Sequence, residues 1–78
     1  MARVRLFAAL RDIAGSRAIE VEAPDVEAAV TELGGRYGPR FASLVEHGSV
    51  VVNGEVALPG QRLEPSDEVA LLPPFSGG

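Results

Sequence analysis

Val4 and Leu6 alternate with Arg3, Arg5 and Phe7 near the start of the chain, a period of two. That pattern predicts a strand from Arg3 to Phe7 with Val4 and Leu6 on its apolar face. The next stretch, AALRDIAG, predicts a short helical turn closed by Gly15. RAIEVE then alternates again and turns Ile19 and Val21 inward, so the first two strands are expected to pair antiparallel across a longish loop.

Pro24 and Asp25 mark a helix start, because the Asp25 carboxylate can accept one of the orphan backbone N–H groups of a first turn. Val26, Ala29, Val30 and Leu33 follow at i, i+3, i+4 and i+7, one apolar stripe with Glu27 and Glu32 off it. Gly34 and Gly35 are expected to end this helix or weaken its last turn. GPRFASLVEHG predicts a further short helical turn that carries Phe41, Leu44 and Val45 into the core, leaving His47 in a polar loop.

SVVVNGEVAL sets Asn53-Gly54 between β-formers, the signature of a type I′ hairpin, since both residues tolerate positive φ. LEPSDEVALLP predicts a tight turn over Pro65 to Asp67 and a last strand from Glu68 to about Leu72. The order is strand, strand, helix, strand, short strand, strand. One main helix across one face of a mixed sheet would bury Val4, Leu6, Ile19, Val21, Val30, Leu33, Val69 and Leu71 together. This is the α+β, β-grasp (ubiquitin-like) arrangement, with the last strand beside the first at the sheet centre. Residues 1–72 form the expected domain and residues 73–78 a flexible, extended C-terminal tail.

Composition narrows the chemistry. At 78 residues there is room for one domain, and its core must be economical. No cysteine is present, which removes disulfides, thiolate metal sites and cysteine nucleophiles. A formal net charge of −4 argues against nucleic acid as the main partner. No run approaches the roughly 20 apolar residues of a membrane span, so no membrane association and a cytoplasmic location are expected. All seven basic residues are arginine, which excludes a modifier that builds chains on its own lysines.

Side chains able to run a reaction are scarce. His47 is read as a solvated residue. Asp67-Glu68 resembles a carboxylate pair but reads as turn chemistry, with Asp67 bonding the backbone and Glu68 opening the strand. Gly34-Gly35 lacks the spacing of a phosphate loop. No metal site and no bound cofactor is expected in this chain.

The terminus, LLPPFSGG, carries more information. A chance terminal Gly-Gly should occur in roughly one chain in 200, given ordinary glycine usage. Here Pro73 and Pro74 stop the sheet ladder and hold the chain extended. Phe75 offers an apolar anchor, and Gly77 and Gly78 lack the Cβ that would keep other residues out of a narrow channel. Such a tail can deliver its terminal carboxylate into another protein's active site. Phe7, Ala70 and Leu72, pointing away from the helix, would form an apolar patch beside Phe75 that marks a partner surface.

With VRLFAALRDIAG, VVVNGEVA, PSDEVALLPP and the terminal SGG, essentially the whole chain resembles the ubiquitin-like sulfur carriers of the MoaD and ThiS type. It is most similar to the small subunit of molybdopterin synthase, although family members often carry lysines where this chain has arginine only. The resemblance implies that an E1-like adenylating enzyme activates the Gly78 carboxylate with ATP and magnesium, and that a thiocarboxylate then forms there. It implies sulfur donation to a cyclic pyranopterin within a molybdopterin synthase large subunit, in a heterotetramer, with this chain the noncatalytic donor. Gly78 and Gly77 are the expected reactive tip, and Phe7, Arg11, Leu72, Pro73, Pro74, Phe75 and Ser76 the expected partner contacts. A carrier for thiamine thiazole, cysteine or tRNA thiolation, or a protein modifier joined to target lysines, shares the same tail.

Overall fold

The computed structural model describes residues 1–58 and 60–74. Five strands and three helices follow one another as β1 (Ala2–Leu6), α1 (Ala8–Ala14), β2 (Ala18–Val21), α2 (Val26–Tyr37), α3 (Pro39–His47), β3 (Ser49–Val52), β4 (Glu55–Val56) and β5 (Glu68–Leu72). The sheet order is β2-β1-β5-β3-β4, with β1 and β5 parallel and the other neighbours antiparallel. The last strand therefore lies beside the first at the sheet centre, as the β-grasp reading requires.

Alternation along the strands decides which face is covered. Ala2, Val4 and Leu6 of β1 are buried, and so are Val69 and Leu71 of β5, paired directly as Val4↔Val69 and Leu6↔Leu71. Helices α2 and α3 close over this face, with Leu33 and Phe41 fully enclosed. Tyr37 packs its ring 5.1 Å from that of Phe41, a tilted aromatic pair at the junction of the two helices. Leu10 of α1 completes the core at the end of the sheet where β1 and β5 finish.

Several expectations are corrected. β1 ends at Leu6, and Phe7 is the N-cap of α1, a helix of 7 residues where a single turn and a loop were expected. α2 begins as expected, with Asp25 accepting a 2.7 Å hydrogen bond from the Ala28 N–H, but it runs through Gly34 and Gly35 to Tyr37. Glycine is unfavourable inside a helix by only about 1 kcal/mol. Packing outweighs that cost here: a Cβ on Gly34 would sit 3.1 Å from the Cβ of Ala42, so the missing side chain lets α3 approach closely. α3 is 9 residues long, not a single turn, with Pro39 opening its first turn. His47 belongs to its last turn, where the Nδ1–H donates to the Ser43 carbonyl at 2.9 Å. Ile19, Val30 and Leu44 are half-buried at the margin of the core.

The Asn53-Gly54 turn forms as its sequence dictates, with φ of 51° and 86°. Its side chain also ties the turn to the loop before β5. Asn53 Oδ1 accepts from the Glu68 N–H and its Nδ2 donates to Asp67 Oδ1, both at 2.9 Å. Asp67 Oδ2 accepts from the Glu64 N–H at 2.8 Å. This clasp closes the end of the sheet opposite the C-terminal exit.

Candidate docking face and C-terminal exit

β5 delivers the chain to one end of the molecule. Because it runs parallel to β1, Leu72 leaves the sheet beside Phe7, which follows the Leu6↔Leu71 pair. On the other side Leu72 is paired with Ser49, the first residue of β3. Gly48 precedes that residue, and a Cβ there would overlap the Leu72 carbonyl oxygen. Its φ of −98° is not the positive φ that favours glycine, and the close approach of Leu72 is what excludes a side chain. Pro73 is buried and Pro74 exposed.

The sheet face away from the helices is set by the same alternation. Ala70 and Leu72 of β5 and Val51 of β3 lie on it, half-buried, with Val51 opposite Ala70. Arg3 and Arg5 of β1 share the face; Arg5 is directly opposite Ala70, and Arg3 lies between Glu20 of β2 and Glu68 of β5. Phe7 sits at its upper end, 36% exposed, with the Arg5 guanidinium carbon 5.8 Å from its ring centroid. Ala8 holds a positive φ of 51°, uncommon for a residue with a Cβ, at the point where the chain turns from Phe7 into α1. Arg11 is exposed on α1, one turn beyond Phe7.

Of the expected contact residues, then, the structure gathers Phe7, Leu72, Pro73 and Pro74 at one end, with Arg11 on the adjoining helix. Phe75, Ser76, Gly77 and Gly78 lie outside the described residues. Two residues of this region escaped the sequence reading. Val51 alternates with Val50 and Val52 in an all-valine run, which hides its face; Gly48 reads as an ordinary helix stop, and only the fold reveals its neighbour. No described helix is long and apolar enough to cross a membrane.

Among the described residues one acid is perturbed, Asp67, at the end of the sheet opposite the C-terminal exit. The Glu64 backbone N–H, and secondarily the Asn53 amide, hold the Asp67 carboxyl below its ordinary value of 3.8 by stabilising its charged form. Asp67 is thus a structural carboxylate of the turn, as its sequence context suggested.

A β-grasp body whose central last strand ends at Leu72 beside Phe7, at the rim of the sheet face left open by the helices, defines a ubiquitin-like carrier or modifier protein. A match to the ThiS family model over residues 4–78 assigns the chain more narrowly: it belongs to the ThiS family of ubiquitin-like sulfur carriers. Small archaeal modifier protein 1 of Haloferax volcanii is 36% identical over 85 residues, spanning 95% of this chain and 97% of that one. Its crystal structure superposes with a TM-score of 0.78 at 33% identity, covering 99% of this chain and 98% of that one. A Pyrococcus furiosus protein described as a candidate subunit 1 of molybdopterin converting factor is 26% identical, with a TM-score of 0.81 over 95% and 97% of the two chains. A chain of the Amycolatopsis orientalis BexX/CysO complex matches over the full length of both, with a TM-score of 0.80; at 21% identity it shows the shared fold alone.

Proposed function

We propose that this protein is a sulfur carrier whose reactive group is the backbone carboxylate of Gly78, and that it serves as the small subunit of a molybdopterin synthase. The observation that carries the reading is the family match through residue 78, which includes the terminal Gly-Gly after a strand that ends at an apolar face. A carboxylate oxygen is a poor leaving group. An activating enzyme using ATP and magnesium makes the Gly78 acyl-adenylate and releases pyrophosphate. A partner's persulfide displaces AMP, and a thiol then cleaves the acyl disulfide, becoming oxidised as the thiocarboxylate is released. That sulfur attacks a cyclic pyranopterin bound by the large subunit, whose side chains supply the acid and base groups. This chain contributes the consumable sulfur, with Phe7, Leu72 and Pro73 forming the partner contact and Arg11, Pro74, Phe75 and Ser76 extending it.

The relation to small archaeal modifier protein 1 supports a second reading, in which the same activated Gly78 is joined to lysines of target proteins. Both readings require adenylation, so the experiment must look beyond it. Intact-mass measurement of the chain isolated from its own cells should show a fraction with one oxygen exchanged for sulfur. Deleting Gly78, or adding a residue after it, should abolish that fraction and also the restoration of molybdopterin synthesis in cells lacking their own carrier. A ladder of conjugates on immunoblot, with no rescue of molybdopterin synthesis by the intact chain, would overturn the first reading in favour of the second.

A further inference from the structure

Cross-strand register arranges the open sheet face in rows. The middle row crosses every strand of the sheet as Ala18, Arg5, Ala70, Val51 and Val56. Phe7 and Leu72 stand above it, at the end where the chain leaves the sheet. Below it lies Arg3, between Glu20 and Glu68. Residues directly opposite across a ladder have Cβ atoms about 5 Å apart, so Arg3 has an acidic neighbour on either side. Arg5, in the same positions, has alanine on both sides.

The rest of the middle row is apolar, and its outer end stands in water: Val56 is 73% exposed, about twice as much as Phe7. Arg5 is therefore a single charge set among Phe7, Leu72, Ala70, Val51 and Val56. Among the described residues it pairs with no carboxylate; the one ion pair joins Arg36 and Glu32. Its guanidinium carbon stays 5.8 Å from the centroid of the Phe7 ring, which holds the cation over the apolar surface. A protein docking on this half of the face takes Arg5 out of water. Against an apolar surface the guanidinium loses its hydration with nothing in return, and against a cation it is repelled. A carboxylate matches both its charge and the fork of its N–H groups.

We propose that Arg5 decides which protein docks on the open face, by pairing with a single Asp or Glu set in an apolar contact surface of the activating enzyme. Val51 and Val56 carry that contact from Phe7 and Leu72 to the far edge of the sheet, and the Arg3 row bounds it. The choice of partner rests on the activation proposed at Gly78. The need for a carboxylate opposite Arg5 rests on the face alone.

The chain has no lysine, which makes the test direct. Arg5→Lys introduces the one side-chain amine of the molecule, and a water-soluble carbodiimide joins an amine to a carboxylate in contact with it, taking up the water that is lost. With the full-length variant bound to the activating enzyme, mass spectrometry should map an amide between that amine and an Asp or Glu of the enzyme. In Arg3→Lys the link should form instead to Glu20 or Glu68 of the same chain. Arg5→Ala should bind the enzyme about thirtyfold more weakly, mainly through faster dissociation, with its unfolding midpoint in place. Arg3→Ala should lose less than about threefold. The proposal is overturned by a complex in which the Arg5→Lys amine links to no enzyme carboxylate, or by a loss confined to the association rate, the mark of a solvated steering charge. Pyrophosphate release separates it from the chemistry at Gly78. Arg5-dependent binding without release upholds the docking and overturns the activation, whereas release with equal affinity in Arg5→Ala overturns the docking alone.

Discussion

Gly48 lies against the backbone of Leu72 so closely that no side chain fits between them. The turn from α3 into β3 thereby fixes the point where the C-terminal strand leaves the sheet. Gly48→Ala must push either the turn or β5 aside, and overpacking of this kind costs about 1–3 kcal/mol. Chemical denaturation should show a loss in that range, and the amide signals of Ser49 and Leu72 should move more than those of the Asn53 turn. An unchanged stability would mean that the two segments are not in contact.

The two glycines inside α2 should respond in opposite directions. Gly35 has open space around its Cβ position, so Gly35→Ala should stabilise the protein by about 0.5–1 kcal/mol through helix propensity alone. Gly34 faces Ala42, and Gly34→Leu should destabilise by about 2 kcal/mol by forcing α3 away. Unfolding midpoints of the two variants, measured side by side, check both signs.

Asp67 gives a pH signature. Its carboxyl titrates below 3.8 in the folded chain, so its hydrogen bonds contribute stability above that value. As pH falls below 3.8 and through the lowered folded value, the unfolded chain takes up the proton first and this contribution is lost. Asp67→Asn should reduce stability at neutral pH and flatten its decline in this acid range. A parallel decline in the two proteins would show that the turn does not favour the charged form.

Phe7 should matter for association and little for folding. It is 36% exposed and packs with Arg5 rather than into the core. Phe7→Asp should leave thermal unfolding nearly unchanged while lowering affinity for the activating enzyme or the large subunit about tenfold or more, the effect expected of an aromatic anchor. Normal affinity in this variant would remove the open sheet face from the proposed contact.

Much of the fold was legible because local and global preferences agree. Val4 and Leu6, Val69 and Leu71, the Asp25 cap and the Asn53-Gly54 turn all announce themselves by spacing or by backbone chemistry. The passage of α2 through Gly34 and Gly35 was not legible, since the gain comes from Ala42 on another helix. The docking face could be read only in part. Phe7 and Leu72 follow from strand phase, whereas Val51 is masked by its valine neighbours and Gly48 depends on a contact 24 positions away.

β5 enters between β1 and β3, which have no other strand to join them. While a ribosome is still short of residues 68–72, the emerging chain can hold only two separate strand pairs, each with an open inner edge. Neither pair encloses the apolar side chains that Val69 and Leu71 later cover. Folding thus waits for residues 68–72, and a chain interrupted before them never acquires the face that Phe7 and Leu72 display. A partner that grips this face is also inspecting the product: it meets only copies whose synthesis has run past Leu72.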